Sequence, residues 1–214
     1  MNKFKNKYRV ASARAPWWDY GSNAAYFVTI CTQNRNHYFG HVNNGKMDLS
    51  AIGHIANSCW FEIPNHFPFV ELGAHIIMPN HVHGIVIINK RDGDENVVET
   101  QNFASLQSPQ SPQSPQSPSP PPQSPSSPIP PPILKIPHPP KTKNKFGPQS
   151  KNLASIIRGF KIGVTKNARL INSEFGWQSR YHDHIIRDDQ AYQRISNYII
   201  NNPANWNDDK FYNQ

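Results

Sequence analysis

Residues 76–88 read IIMPNHVHGIVII, and this stretch constrains the fold more than any other. Two apolar runs flank Pro79-Asn80, which predicts two strands joined by a tight turn. Proline presets φ at one central position and asparagine tolerates the next. Alternate residues of a strand share a face, so His81 and His83 point one way and Val82 the other. Paired imidazoles at the end of such a strand make half of a metal site, and imidazole suits several divalent metals. Surface or turn histidines are the plain alternative. The apolar surroundings give a polar pair here a reason to be noticed.

The remaining chain supplies elements for these strands to pair with. Residues 25–32 are β-branched and aromatic and predict a strand. A polar loop follows at 33–37, in which Arg35 and His37 could lie near a phosphate. Ala51, Ile52, Ile55, Ala56, Cys59 and Trp60 recur at helical spacing, with Ser50 as N-cap and Pro64 as stop. Strands at 70–78 and 81–88 then give the order strand, helix, strand, strand. Residues 104–140 are a Ser-Pro-Gln and polyproline tract with too few apolar groups to offset ordering entropy. It is expected to be a disordered, polyproline-II-like insert. Long surface insertions are tolerated because closure entropy grows slowly with length.

Beyond the tract, Leu153, Ile156, Ile157, Phe160, Val164 and Ala168 mark one face of a helix that runs to Leu170. Arg158, Lys161, Lys166 and Arg169 lie on it, and no acid intervenes before Glu174, so a phosphate-tracking surface is expected. Residues 175–187 read as a loop entering a short strand that carries a second pair, His182 and His184, bordered by Arg180 and Arg187. Asp188-Asp189 can cap a final helix over 190–201, ended by Pro203. Tyr198 and Asn202, four residues apart, project from nearly the same side of it.

The net charge of +8 and pI near 9.5 point to a polyanionic partner. Part of this charge sits in a basic arm with an aromatic cluster, Trp17-Trp18-Asp19-Tyr20, over residues 1–24. Such aromatics either close a core edge or stack unpaired bases. Cys31 and Cys59 are the two cysteines, and no run nears the ~18 apolar residues of a membrane span. A soluble cytoplasmic protein without disulfides is expected.

Three motifs together, Met78-Pro79-Asn80-His81-Val82-His83, Trp177-Gln178 through Arg187, and Tyr198-Ile199-Ile200-Asn201-Asn202-Pro203, resemble those of the REP-associated tyrosine transposases. These belong to the HUH single-tyrosine transposase superfamily. The resemblance covers about residues 25–88 and 150–206. It implies an α+β fold: a ferredoxin-like antiparallel sheet with helices on one face and a C-terminal helix carrying the nucleophile. One domain over 25–206, interrupted by 104–140 and followed by a tail at 207–214, fits that reading. It further implies that His81, His83 and Asn202 hold Mg2+ or Mn2+, and that Tyr198 attacks DNA to leave a 5′-phosphotyrosine. Single-stranded hairpin DNA would be the substrate, in the bacterial nucleoid, with the protein a monomer or homodimer. Arg158, Lys161, Lys166, Arg169, Arg180 and Arg187 are the candidate DNA contacts.

Tyr192 and Tyr181 are the rival nucleophiles. His182 and His184 serve either as an alternative metal pair, as sheet residues or as phosphate contacts. The competing function is a domesticated or non-catalytic DNA-binding protein with the same fold.

Overall fold

The computed structural model describes residues 15, 17–91 and 150–212. In chain order these form β1 (Ala24–Cys31), a hairpin of β2 (Gly40–Asn43) and β3 (Lys46–Leu49), α1 (Ala51–Phe61) and the short α2 (Ile63–His66). Then come β4 (Val70–Met78), β5 (His81–Ile88), α3 (Leu153–Ala168), β6 (His182–Ile186), α4 (Asp189–Asn201) and a 3-10 segment, Pro203–Asp208. β1, β4, β5 and β6 make one antiparallel sheet in the order β4-β5-β1-β6. No helix among the described residues is long and apolar enough to cross a membrane. The expected insert at 104–140 and most of the N-terminal arm lie outside the described residues.

Register divides the sheet into two faces. Tyr26, Val28 and Ile30 of β1 share one face with Val82, Val86 and Ile88 of β5. That face is closed by Trp60 of α1 and by Ile156, Phe160 and Val164 of α3. Gly84 permits the closure, because a Cβ there would run into the Trp60 indole. Trp18 and Tyr20 seal the rim: the Trp18 indole donates to the Tyr26 hydroxyl (3.0 Å), and the Tyr20 and Tyr26 rings stack at 5.8 Å. This half of the aromatic cluster therefore closes the core edge, whereas Trp17 is 56% exposed.

Ala25 and Phe27 of β1 and Ile85 and Ile87 of β5 share the other face, against Ala191, Tyr192, Ile195 and Ile199 of α4. Helices therefore cover both faces, where the sequence reading expected one. The cause is visible in β5, which is buried along nearly its whole length on both parities and needs cover from two sides.

The caps follow the sequence. Ser50 Oγ accepts from Gly53 N (3.0 Å), and Asp188 accepts from Ala191 N (2.7 Å). At α3 the cap is Asn152, in a reciprocal box with Ser155. The β2–β3 hairpin was not anticipated. It turns on Asn44 and Gly45, both left-handed (φ 49° and 71°), as a two-residue hairpin loop requires.

Candidate metal and nucleophile site

The Pro79-Asn80 turn ends with both histidines buried, His81 at 0% and His83 at 1% exposure, their rings 4.4 Å apart. Each ring is oriented through Nδ1. His81 Nδ1 lies 2.8 Å from Asn80 Oδ1, while the Asn80 amide donates to the Phe211 carbonyl (2.8 Å). That second bond fixes which end of the amide faces the ring, so His81 carries its proton on Nδ1. His83 Nδ1 lies 2.9 Å from Thr29 Oγ1, its cross-strand partner. His81 Nε2 then offers a lone pair to the site, and His83 Nε2 offers one to the same space in the tautomer whose Nδ1 donates to Thr29 Oγ1. Burial drives both imidazoles toward the neutral form, His81 well below its ordinary pKa and His83 to about 3. Neutral imidazoles oriented in this way are set up as metal ligands.

α4 brings Tyr198 to the same space from 115 residues away. Its hydroxyl lies 3.2 Å from His83 Nε2 and 3.3 Å from Asp209 Oδ2, and its ring meets Phe27 edge-on at 6.2 Å. The ring is 43% exposed, and burial, followed by the Asp209 charge, pushes the phenol up to about 12. Asn202, one turn on, is buried and donates to Asp209 Oδ2 at 2.7 Å.

Asp209 is the residue that sequence reasoning missed. Its carboxylate and the His81 and His83 nitrogens lie within 4.8 Å of one another. Residues 207–212, read from sequence as a tail, pack on the histidines through Phe211, whose ring is 4.7 Å from that of His81; the preceding Trp206 is 5.9 Å from it. The available signal was an acid pair, Asp208-Asp209, shortly after the helix-ending proline in a chain with few acids.

Two orphaned atoms test whether this cluster suits a cation. Among the described residues, His81 Nε2 and Asn202 Oδ1 are buried without a hydrogen-bond partner. Both are electron-pair donors, which a cation would satisfy and a further donor-poor side chain would not. Two imidazoles, a carboxylate and an amide oxygen form a mixed nitrogen–oxygen set that fits a divalent ion.

The rival tyrosines lie elsewhere. Tyr192 is buried in the α4 core, and Tyr181 packs against the opposite core. The candidate DNA contacts are also dispersed. α3 lies across the sheet from the histidines, so Arg158, Lys161 and Lys166 line an open groove of about 530 Å³ on the far side. Lys161 donates to the carbonyls of Gln178 (2.7 Å) and Arg180 (3.2 Å), and burial lowers it to about 8. It ties α3 to the segment before β6. Arg169 donates to the Phe175 carbonyl (3.1 Å), and the Arg187 guanidinium sits 5.5 Å over Trp17. Arg158 and Arg180 are exposed.

A protein of Haemophilus influenzae described as uncharacterized is 34% identical over 203 residues, covering 94% of this chain and 92% of that one. No protein-family model matches the chain. A solved REP-associated tyrosine transposase bound to a REP hairpin superposes on 92% of this chain and 74% of its own, at 15% identity and a TM-score of 0.49. A candidate transposase of Deinococcus radiodurans superposes on 91% of this chain and 97% of its own, at 10% identity and a TM-score of 0.40.

Proposed function

We propose, for a chain that belongs to the same family as the uncharacterized Haemophilus influenzae protein, metal-dependent cleavage and rejoining of single-stranded, hairpin-bearing DNA, as in transposition. The observation that carries this reading is the approach of the Tyr198 hydroxyl to His83 Nε2 at 3.2 Å, beside two orphaned electron-pair donors. The three-motif resemblance supports it. So does the strand order, which suits a ferredoxin-like sheet with the nucleophile's helix laid across its second face.

In this reading His81 and His83 would hold a divalent cation, Mg2+ or Mn2+, through Nε2, with Asp209 and Asn202 as oxygen donors. The cation would offset charge developing on the non-bridging phosphate oxygens. Neutral imidazoles hold it without cancelling its charge. Thr29 and Asn80 keep both Nε2 atoms aimed inward. Tyr198, held protonated at rest, passes its proton to the Asp209 carboxylate as its oxygen attacks phosphorus. The P–O3′ bond breaks, O3′ leaves and takes up a proton from water, and the 5′ phosphate stays on Tyr198. A second 3′-hydroxyl attacking that phosphotyrosine reverses the step without ATP, because the phosphodiester linkage is conserved.

The test uses a pool of 3′-labelled hairpin oligonucleotides with Mn2+, since the 3′ fragment is the one retained. An SDS-stable labelled adduct formed by the native protein and absent from Tyr198→Phe supports the transesterase. A mobility shift without adduct indicates a DNA-binding protein, and multiple cuts without adduct indicate hydrolysis by water.

A further inference from the structure

The second histidine pair lies on the same face of the sheet as the first. Register sets His182 opposite Thr29, which is itself opposite His83, so His83, Thr29 and His182 form one row across three strands. The next row on that face is Ile85, Phe27 and His184. At the spacing of adjacent strands, His182 stands about 10 Å from His83. Phe27, opposite His184, is the ring that touches Tyr198.

Cover on this face is uneven. α4 packs on β4 and β5, and His182 and His184 on the edge strand are exposed. The intervening Asp183 faces the other way, toward Tyr26. Among the described residues, the strip from Tyr198 across Phe27 to His182 and His184 therefore carries imidazole donors, an aromatic ring and no carboxylate from β1 or β6. A metal pair would need a third ligand, and among the described residues no such group forms around them.

We infer that this open β1–β6 half-face is the track for the single strand adjoining the scissile phosphate, with His182 and His184 donating to its backbone phosphates and Phe27 supporting a base. Imidazole donates an N–H in either protonation state, so the contact suits a polyanion whatever the charge on the ring. Stacking on an aromatic floor is sequence-tolerant, as a flanking strand requires. The inference rests on the transesterase reading for its geometry, but it concerns affinity for the flank and not the chemistry.

The experiment compares native protein with His182→Ala/His184→Ala on three oligonucleotides: a hairpin with single-stranded flanks on both sides of the cut, and two versions, each truncated on one side. Fluorescence anisotropy reads affinity, and adduct formation at saturating DNA reads chemistry. The double variant is expected to bind the flanked oligonucleotide about tenfold more weakly, as loss of hydrogen bonds to charged groups would cause. It should match native protein on one of the truncated versions and form adduct at an unchanged saturating rate. His182→Asn/His184→Asn, which keeps N–H donors, should recover part of the affinity. Equal loss on every oligonucleotide, no loss on any, or a fallen saturating rate with affinity intact overturns the track. Absence of adduct from native protein overturns the transesterase reading alone, because flank-dependent affinity is measured independently of it.

Discussion

The two faces of the sheet draw on the same strands and end differently. Toward α1 and α3, alternate residues meet large apolar side chains, and Trp60, Phe160 and Ile156 are wholly buried. Toward α4, the face is apolar over its inner half and then turns polar, with Thr29, His81, His83, Ser196 and Asn202 all buried. Burying polar groups costs free energy unless each finds a partner, and three atoms there, His81 Nε2, Ser196 Oγ and Asn202 Oδ1, find none within the described residues. One face therefore carries stability, and the other gives some of it up to hold neutral imidazoles beside a tyrosine.

Removing Trp60 should break the contrast most. Trp60→Ala empties the space under Gly84 and is expected to cost about 4 kcal/mol in urea unfolding. A metal-site substitution, His81→Ala, should leave stability within about 1 kcal/mol while abolishing cleavage and sparing DNA retention. If Trp60→Ala were the milder of the two, the division of labour would be wrong.

Manganese should act on one face alone. At about a hundredfold excess over its dissociation constant it should stabilise native protein by about 2.7 kcal/mol. It should do nothing for His81→Ala or His83→Ala. An equal rise in the melting temperature of all three would put the ion elsewhere.

Acid sharpens the comparison by a smaller amount. His83 holds a folded pKa near 3 against an ordinary 6.5, so below about pH 6.5 the unfolded chain binds more protons. Its share of stability is complete above pH 6.5 and is lost as pH falls toward 3. Between pH 7 and 5 this amounts to about 2 kcal/mol. His83→Ala should flatten the pH dependence of the unfolding free energy by that much. His75, stacked on Trp60 across the sheet and lowered to about 4, should keep its own share.

Lys161→Met should have the smallest effect. Its two carbonyl contacts are partly solvated, so a loss of about 1 kcal/mol is expected, with little change in the salt dependence of DNA binding. A strong fall in that salt slope would mark Lys161 as a DNA contact.

Elements with strong periodicity were legible: β4, β5, α1 and α4 follow from apolar spacing, Pro79-Asn80 and the Ser50 and Asp188 caps. The pairing of His81 and His83 on one face follows from period two alone. Three features were not legible, for separate reasons. The β2–β3 strands are short and half-exposed, so their signal was only Asn44-Gly45. An amphipathic stripe says that α3 and α4 bury a face, but not against which side of the sheet. Asp209 lies in a 3-10 and turn segment without periodicity, where nothing local marks one carboxylate over its neighbour.

The measurement closest to the central claim is the site of covalent attachment. After incubation with Mn2+ and the hairpin pool, tryptic digestion separates the three competing tyrosines into residues 181–187, 188–194 and 195–210. The account predicts a nucleotide-bearing peptide spanning 195–210, in which Tyr198 is the sole tyrosine. A nucleotide on the Tyr181 or Tyr192 peptide, or none on any, would contradict it.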